Sequence, residues 1–132
     1  MAIISFFIYA SIKGTAYDKE SKAWVDNEVP KIVSNWNSNE LIDHSSPELL
    51  VIMNKDQANA FIASARDGLG SMKKYNGSTG ESGIHINNGK QTISAEYVAK
   101  ADFEKGSADI DIRLLKEGGI WKILYFHIQQ PN

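Results

Sequence analysis

Four residues of this chain are suited to lining a small-molecule site: Tyr97, Trp121, Tyr125 and His127, three aromatic walls and one imidazole whose ring nitrogens can donate or accept a hydrogen bond. Isomerisation or dehydration at carbon would also need a carboxylate in the same cavity, because the chemistry moves a proton. From Ile93 to Phe103 the apolar residues Ile93, Ala95, Tyr97, Ala99, Ala101 and Phe103 alternate with Ser94, Glu96, Lys100 and Asp102. From Ala108 to Leu114 the even-numbered residues are apolar, and Asp109, Asp111 and Arg113 stand between them. Period-two alternation places the acids of both segments on the side away from the core, so no catalytic residue is assigned. A core aromatic cluster, with His127 satisfied by backbone or water near a strand end, is favoured over a ligand pocket.

The last segment is apolar on both faces: Trp121, Ile123, Tyr125 and His127 share one, and Ile120, Leu124, Phe126 and Ile128 share the other with Lys122. Lys122 marks the second face as the outer one. That leaves Leu124, Phe126 and Ile128 in need of cover, and a second copy of the chain is the expected partner, giving a homodimer through the sheet. Asp109 and Asp111 could chelate a cation, but beside Arg113 they read as a solvated, balanced face. His44 and His85 have no ligand-like spacing to each other or to His127, so no metal and no cofactor are assigned. Asn76-Gly77-Ser78 fits a glycosylation sequon, which matters only in a eukaryotic secreted protein. Gly68-Leu69-Gly70-Ser71 lacks the lysine and helix start of a phosphate loop and reads as a helix stop.

The elements that must position these residues come in two blocks. Val25, Val29, Ile32, Val33 and Trp36 recur at helical spacing, predicting an amphipathic helix over Tyr17 to Trp36, kinked or divided at Pro30 and ended by Asn35 to Asn39. Ser46-Pro47-Glu48 opens a short helix reaching about Asn54, and a further one starts near Asp56 and stops at Gly68 to Gly70. Four strands follow, Lys73 to Ile86, Gln91 to Phe103, Ala108 to Leu115 and Ile120 to Gln129, separated by Asn-Gly, Lys-Gly and Gly-Gly turns. The first of them carries Gly77, Gly80 and Gly83, which suit a bulged strand and a loop equally. The expected fold is α+β, with N-terminal helices packed on a curved, four-stranded antiparallel meander.

Residues 1–14 stand apart from this domain of residues 15–132. Ile3, Ile4, Phe6, Phe7, Ile8, Tyr9, Ala10 and Ile12 form a run apolar all round, too short to cross a bilayer and without the features of a secretory signal. Two explanations stay open: the trailing half of a membrane anchor, which is favoured, or a first helix turn or strand buried against protein. The 132 residues include 42% hydrophobic and 23% charged, the balance of a folding soluble domain rather than a disordered one. A net charge of −2 with scattered basic residues excludes an extended nucleic-acid footprint. The absence of cysteine excludes disulfides and thiol chemistry and leaves the compartment open.

A kinked helix ending in Trp36-Asn37, a Ser-Pro-Glu-Leu helix, Gly68-Leu69-Gly70, the strand end Ala101-Asp102-Phe103-Glu104-Lys105-Gly106 and the closing Gly119-Ile120-Trp121-Lys122-Ile123 together resemble the cystatin-like, NTF2-like cone fold. Within it the chain is similar to small bacterial membrane-anchored domains of unknown function. The resemblance implies an extracytoplasmic, periplasmic domain, with a cytoplasmic one still open, and it does not select a function. The leading expectation is a noncatalytic accessory or binding domain that is membrane-anchored and self-associating. The alternative is a small-molecule carrier or an isomerase or dehydratase with its cavity at Tyr97, Tyr125 and His127. An inhibitor of the cystatin type is disfavoured, since no matching inhibitory loop stands out.

Overall fold

The computed structural model describes the backbone of residues 2–130 and the side chains of residues 17–130 other than Asn87. Helices α1 (Ala2–Val33), α2 (Ser38–Asp43), α3 (Pro47–Ile52) and α4 (Lys55–Leu69) precede strands β1 (Met72–Asn87), β2 (Lys90–Phe103), β3 (Gly106–Glu117) and β4 (Ile120–Gln129). The strands form one antiparallel meander in the order β1-β2-β3-β4, so the chain is α+β. The run Ile3 to Ile12 is helical backbone at the start of α1, and its side chains lie outside the described residues. Among the described residues no helix is long and apolar enough to cross a membrane.

Helix α1 buries the stripe its spacing announces: Val25, Val29, Ile32 and Val33, then Trp36 beyond its end. It is not divided at Pro30, which sits in its last turn, where a missing backbone donor disturbs little helix beyond it. Termination falls to Trp36, in the left-handed region at φ 50, while the Asn37 N–H donates to the Ile32 carbonyl at 2.8 Å. That is the six-to-one bond of a Schellman end, with tryptophan in the place glycine usually takes. What holds Trp36 there is its ring, stacked 5.2 Å from Phe103, and its indole N–H, which donates to the Gly70 carbonyl at 2.6 Å.

Asn37 also starts the next element, its side chain accepting from the Asn39 and Glu40 amides. The stretch from Asn35 to Asn39, expected to end helix structure, therefore ends α1 and caps α2. Ser46 caps α3 with Pro47 behind it, and Asn54 and Gln57 make a reciprocal capping box on α4. The connector between α2 and α3 lies along β4: the Ile123 N–H donates to the His44 carbonyl at 2.6 Å and the Ser46 N–H to the Ile123 carbonyl at 2.8 Å. An edge strand is thereby partly covered.

In the sheet, Ala95, Tyr97, Ala99, Ala101 and Phe103 of β2 and Ala108, Ile110, Ile112 and Leu114 of β3 are buried, in the phase their alternation predicts. They meet Leu41, Leu49, Ala58, Ile62 and Leu69 of the helices in one core. Strand β1 is a true strand paired with β2, with register shifts at Met72/Lys74 and at Tyr75/Ser78; the second contains Gly77, while Gly80 and Gly83 pair in regular register with Tyr97 and Ser94. Gly80 is where it comes closest: a Cβ there would lie 2.0 Å from the Glu96 carbonyl oxygen.

Candidate functional site

A bulge in β4 decides which side chains share a face. Arg113 of β3 pairs with Tyr125 and Leu114 with Ile123, so Leu124 has no cross-strand partner and the alternation shifts by one. Trp121 and Ile123 point into the core before the bulge, and Phe126 does so after it. Tyr125 and His127 point outward. The four residues expected around one cavity therefore stand on opposite faces of the sheet, Tyr97 and Trp121 inside and Tyr125 and His127 outside.

The expected outer patch is corrected by the same shift. Phe126 is 8% exposed and meets Phe61 edge-on at 6.1 Å, Ile128 is half-buried against the core, and only Leu124 borders the outer side. Simple period-two counting through an unmarked bulge inverts every residue beyond it.

The polar atoms of the inner pair are engaged by α1. The Tyr97 hydroxyl lies 2.7 Å from Ser21 Oγ and donates to the Asp18 carbonyl at 2.9 Å, and burial pushes its pKa up. The Trp121 indole N–H donates to Glu20 Oε1 at 2.7 Å, and its ring stands edge-on to Tyr17. Lys116 pairs with the same Glu20 oxygen while lying over the Tyr17 and Trp121 rings, at 4.8 and 5.4 Å from their centroids. Its hydrogen bond, above all, holds the Glu20 carboxyl below the usual range despite partial burial.

A second polar constellation joins α1 to β1. Asp18, Lys22 and Asp26 recur every fourth residue along one side of the helix. Asp18 Oδ1 accepts from the backbone N–H and the hydroxyl of Ser82, at 2.6 and 2.5 Å. Asp26 Oδ1 accepts from the Tyr75 and Ser78 hydroxyls, both at 2.7 Å, and its Oδ2 accepts from Lys22 at 3.0 Å. Lys22 also donates to the Ser78 carbonyl at 2.6 Å. Burial raises the Asp26 carboxyl and these donors more than offset it, so its pKa is lowered. Burial and the neighbouring carboxylate drive the Tyr75 hydroxyl well above the ordinary phenol value. A serine, tyrosine, lysine and aspartate so placed resemble a catalytic set, but their hydrogen bonds are spent on one another. They clasp the bulged strand to the helix. In the sequence, Lys22 and Asp26 pass for the solvated side of an amphipathic helix.

The outer face carries the accessible chemistry. Glu81, Glu96, Arg113 and Tyr125 are successive cross-strand partners across all four strands, and Thr79, Val98, Asp111 and His127 form the next row. Thr79, Glu81, Glu96, Val98, Asp111 and Arg113 of these rows line an open cleft of about 460 Å³, and a second of about 380 Å³ shares Glu81, Glu96 and Arg113 with it and reaches Leu124; Tyr125 and His127 flank the clefts on β4 without lining them. The Arg113 guanidinium sits 4.8 Å above the Tyr125 ring and 3.9 Å from Glu96 Oε2. Tyr125 and His127 lie side by side with centroids 6.3 Å apart. Against three carboxylates stands one guanidinium. Asp109, on the same face as Asp111, pairs with Lys100 at 3.2 Å.

A third group forms where α1 meets α2. His44 Nε2 lies 3.4 Å from Glu28 Oε2, and its Nδ1 lies 3.6 Å from Glu40 Oε2 and 2.8 Å from the Glu40 carbonyl oxygen. One ligand atom from each of Glu28, Glu40 and His44 lies within 4.8 Å of the others. Reading the histidines against one another missed this group; the only signal was the four-residue step from Glu40 to His44. A scan against protein-family models and searches of curated proteins and of solved structures find no match to this chain, so its function must be read from this geometry.

Proposed function

We propose that the chain is a noncatalytic binding domain of the cystatin-like, NTF2-like kind, held at a membrane by its apolar N-terminal segment, that receives a positively charged partner segment on the outer face of its sheet. The observation that carries this is the division of the sheet into two unlike faces. The helix-facing side is filled by apolar residues and by Tyr97, whose hydroxyl is already satisfied. The opposite side holds the two charged clefts.

Glu81 and Glu96 are direct cross-strand partners, an unfavourable like-charge pair, and Arg113 reaches only the second of them at 3.9 Å. Asp111 adds a third carboxylate. A lysine or arginine side chain laid across these rows relieves that repulsion, and Tyr125 and His127 supply a ring surface for its aliphatic stem. The membrane part of the proposal is supported by the run from Ile3 to Ile12. The carrier or isomerase alternative has less support, because Tyr97 is turned away from Tyr125 and His127. Self-association through an apolar patch loses its motive with Phe126 in the core, and a second copy would instead meet this charged face.

The test is an amide-shift titration of the labelled domain with a lysine-rich peptide and, separately, a glutamate-rich one. The expected result is a shift at Glu81, Glu96, Asp111, Arg113, Tyr125 and His127 with the basic peptide alone, weakened by salt and lost in Glu81→Lys/Glu96→Lys. Shifts caused by the acidic peptide, or centred on Tyr97 and the core, would refute it.

A further inference from the structure

We propose that Glu28, Glu40 and His44 form a site for a divalent cation of the zinc or cobalt class. The imidazole is already held in the tautomer such a site requires. A carbonyl oxygen can only accept, so in the neutral ring it is Nδ1, 2.8 Å from the Glu40 carbonyl, that carries the proton, and Nε2, facing Glu28, keeps the lone pair a metal would take. The Glu28 carboxylate is oriented in turn: its Oε1 accepts from Asn27 at 3.1 Å and from Lys31 at 3.3 Å, which leaves Oε2 toward the imidazole.

The spacing between the two is that of metal ligands rather than of a tight ion pair. Two atoms each about 2.0–2.1 Å from a tetrahedral ion stand about 3.3 Å apart. Charge-assisted hydrogen bonds close to about 2.7–2.9 Å. Glu28 Oε2 and His44 Nε2 are 3.4 Å apart.

Glu40, one turn before His44 and on a flexible side chain, supplies the third ligand. The mount is firm. Glu28 is on a long helix, the His44 backbone is tied to β4 through Ile123, and Trp24 packs edge-on against the imidazole at 5.5 Å. Two carboxylates against the single charge of Lys31 leave the group negative, and a divalent ion reverses that. A nitrogen donor among the three favours zinc, cobalt or nickel over calcium or magnesium. All three side chains are partly exposed, Glu28 least at 13%, so water can complete the coordination.

Titration of the full chain with Co²⁺, read by its visible absorption, and with Zn²⁺, read by calorimetry, tests the site. One ion per chain is expected, with affinity falling tenfold or more in Glu28→Gln and in His44→Gln and unchanged in His85→Ala. Absence of binding at millimolar metal would mean that His44 merely bridges the two acids, and would overturn the proposal. Binding that survives both substitutions, or that needs His85, would overturn it too. Should a variant fail to fold, the imidazole nitrogen shifts of the wild-type chain decide: zinc must move His44 Nε2, and a shift confined to His85 or His127 refutes the site.

Discussion

Replacing Phe126 with alanine should cost this domain far more than replacing its neighbour Tyr125, although simple alternation assigns the two the reverse roles. Phe126 is 8% exposed, stands opposite Ile112 and packs edge-on against Phe61, whereas Tyr125 is 38% exposed and touches chiefly the Arg113 guanidinium. Truncating a buried phenylalanine loses its transfer energy and leaves a cavity, about 3–5 kcal/mol. Removing Tyr125 forfeits a surface cation–π contact of about 0.5–1 kcal/mol. A domain of this size holds about 5–15 kcal/mol, so the first change takes a large share and the second does not.

Urea unfolding followed by tryptophan emission reads the difference. With a slope of about 1–3 kcal/mol per molar, the midpoint for Phe126→Ala falls by about 2 M and that for Tyr125→Ala by well under 1 M. Phe126→Glu should unfold the chain rather than dissociate a dimer. Equal losses at the two positions, or a folded Phe126→Glu monomer, would refute the placement of the bulge at Leu124.

Gly80→Ala should be strongly destabilising, by about 3 kcal/mol or more, because its Cβ would overlap the Glu96 carbonyl oxygen and Tyr97 Cα, backbone atoms that cannot step aside. Gly68→Ala, at an open position within α4, should instead stabilise by about 0.5–1 kcal/mol, and thermal melts of the two variants check the contrast. The clasp between α1 and β1 should weaken at both ends of the pH scale. Asp26 has a lowered pKa, so its contribution is present above the unfolded value near 4 and is lost as pH falls through the lower folded one. Tyr75 has a raised pKa, so its contribution is present below about pH 10 and is lost as pH rises toward the folded value. Urea midpoints measured against pH should show Asp26→Asn flattening part of the acid limb, which Glu20 shares, and Tyr75→Phe part of the alkaline limb, which Tyr97 shares.

The sequence by itself determined whatever depends on neighbours along the chain. The apolar spacing of Val25 to Trp36, the caps at Ser46 and the turn glycines are local, and a period of two in β2 and β3 assigns their faces without reference to anything else. Tertiary structure decided whatever depends on a contact across the chain. Nothing in Ile120 to Gln129 marks Leu124 as the unpaired residue, because a bulge belongs to the pairing with β3 rather than to β4 alone. Helix α2 is six residues long with Leu41 its one buried side chain, too short for apolar spacing to announce it, and it is kept by that residue's place in the core. Glu28 and His44 are far apart in sequence and become neighbours only where α1 meets α2. The acids of α1 looked solvated until β1 lay against them, since whether a charged side chain is free or bound is settled by what packs over it.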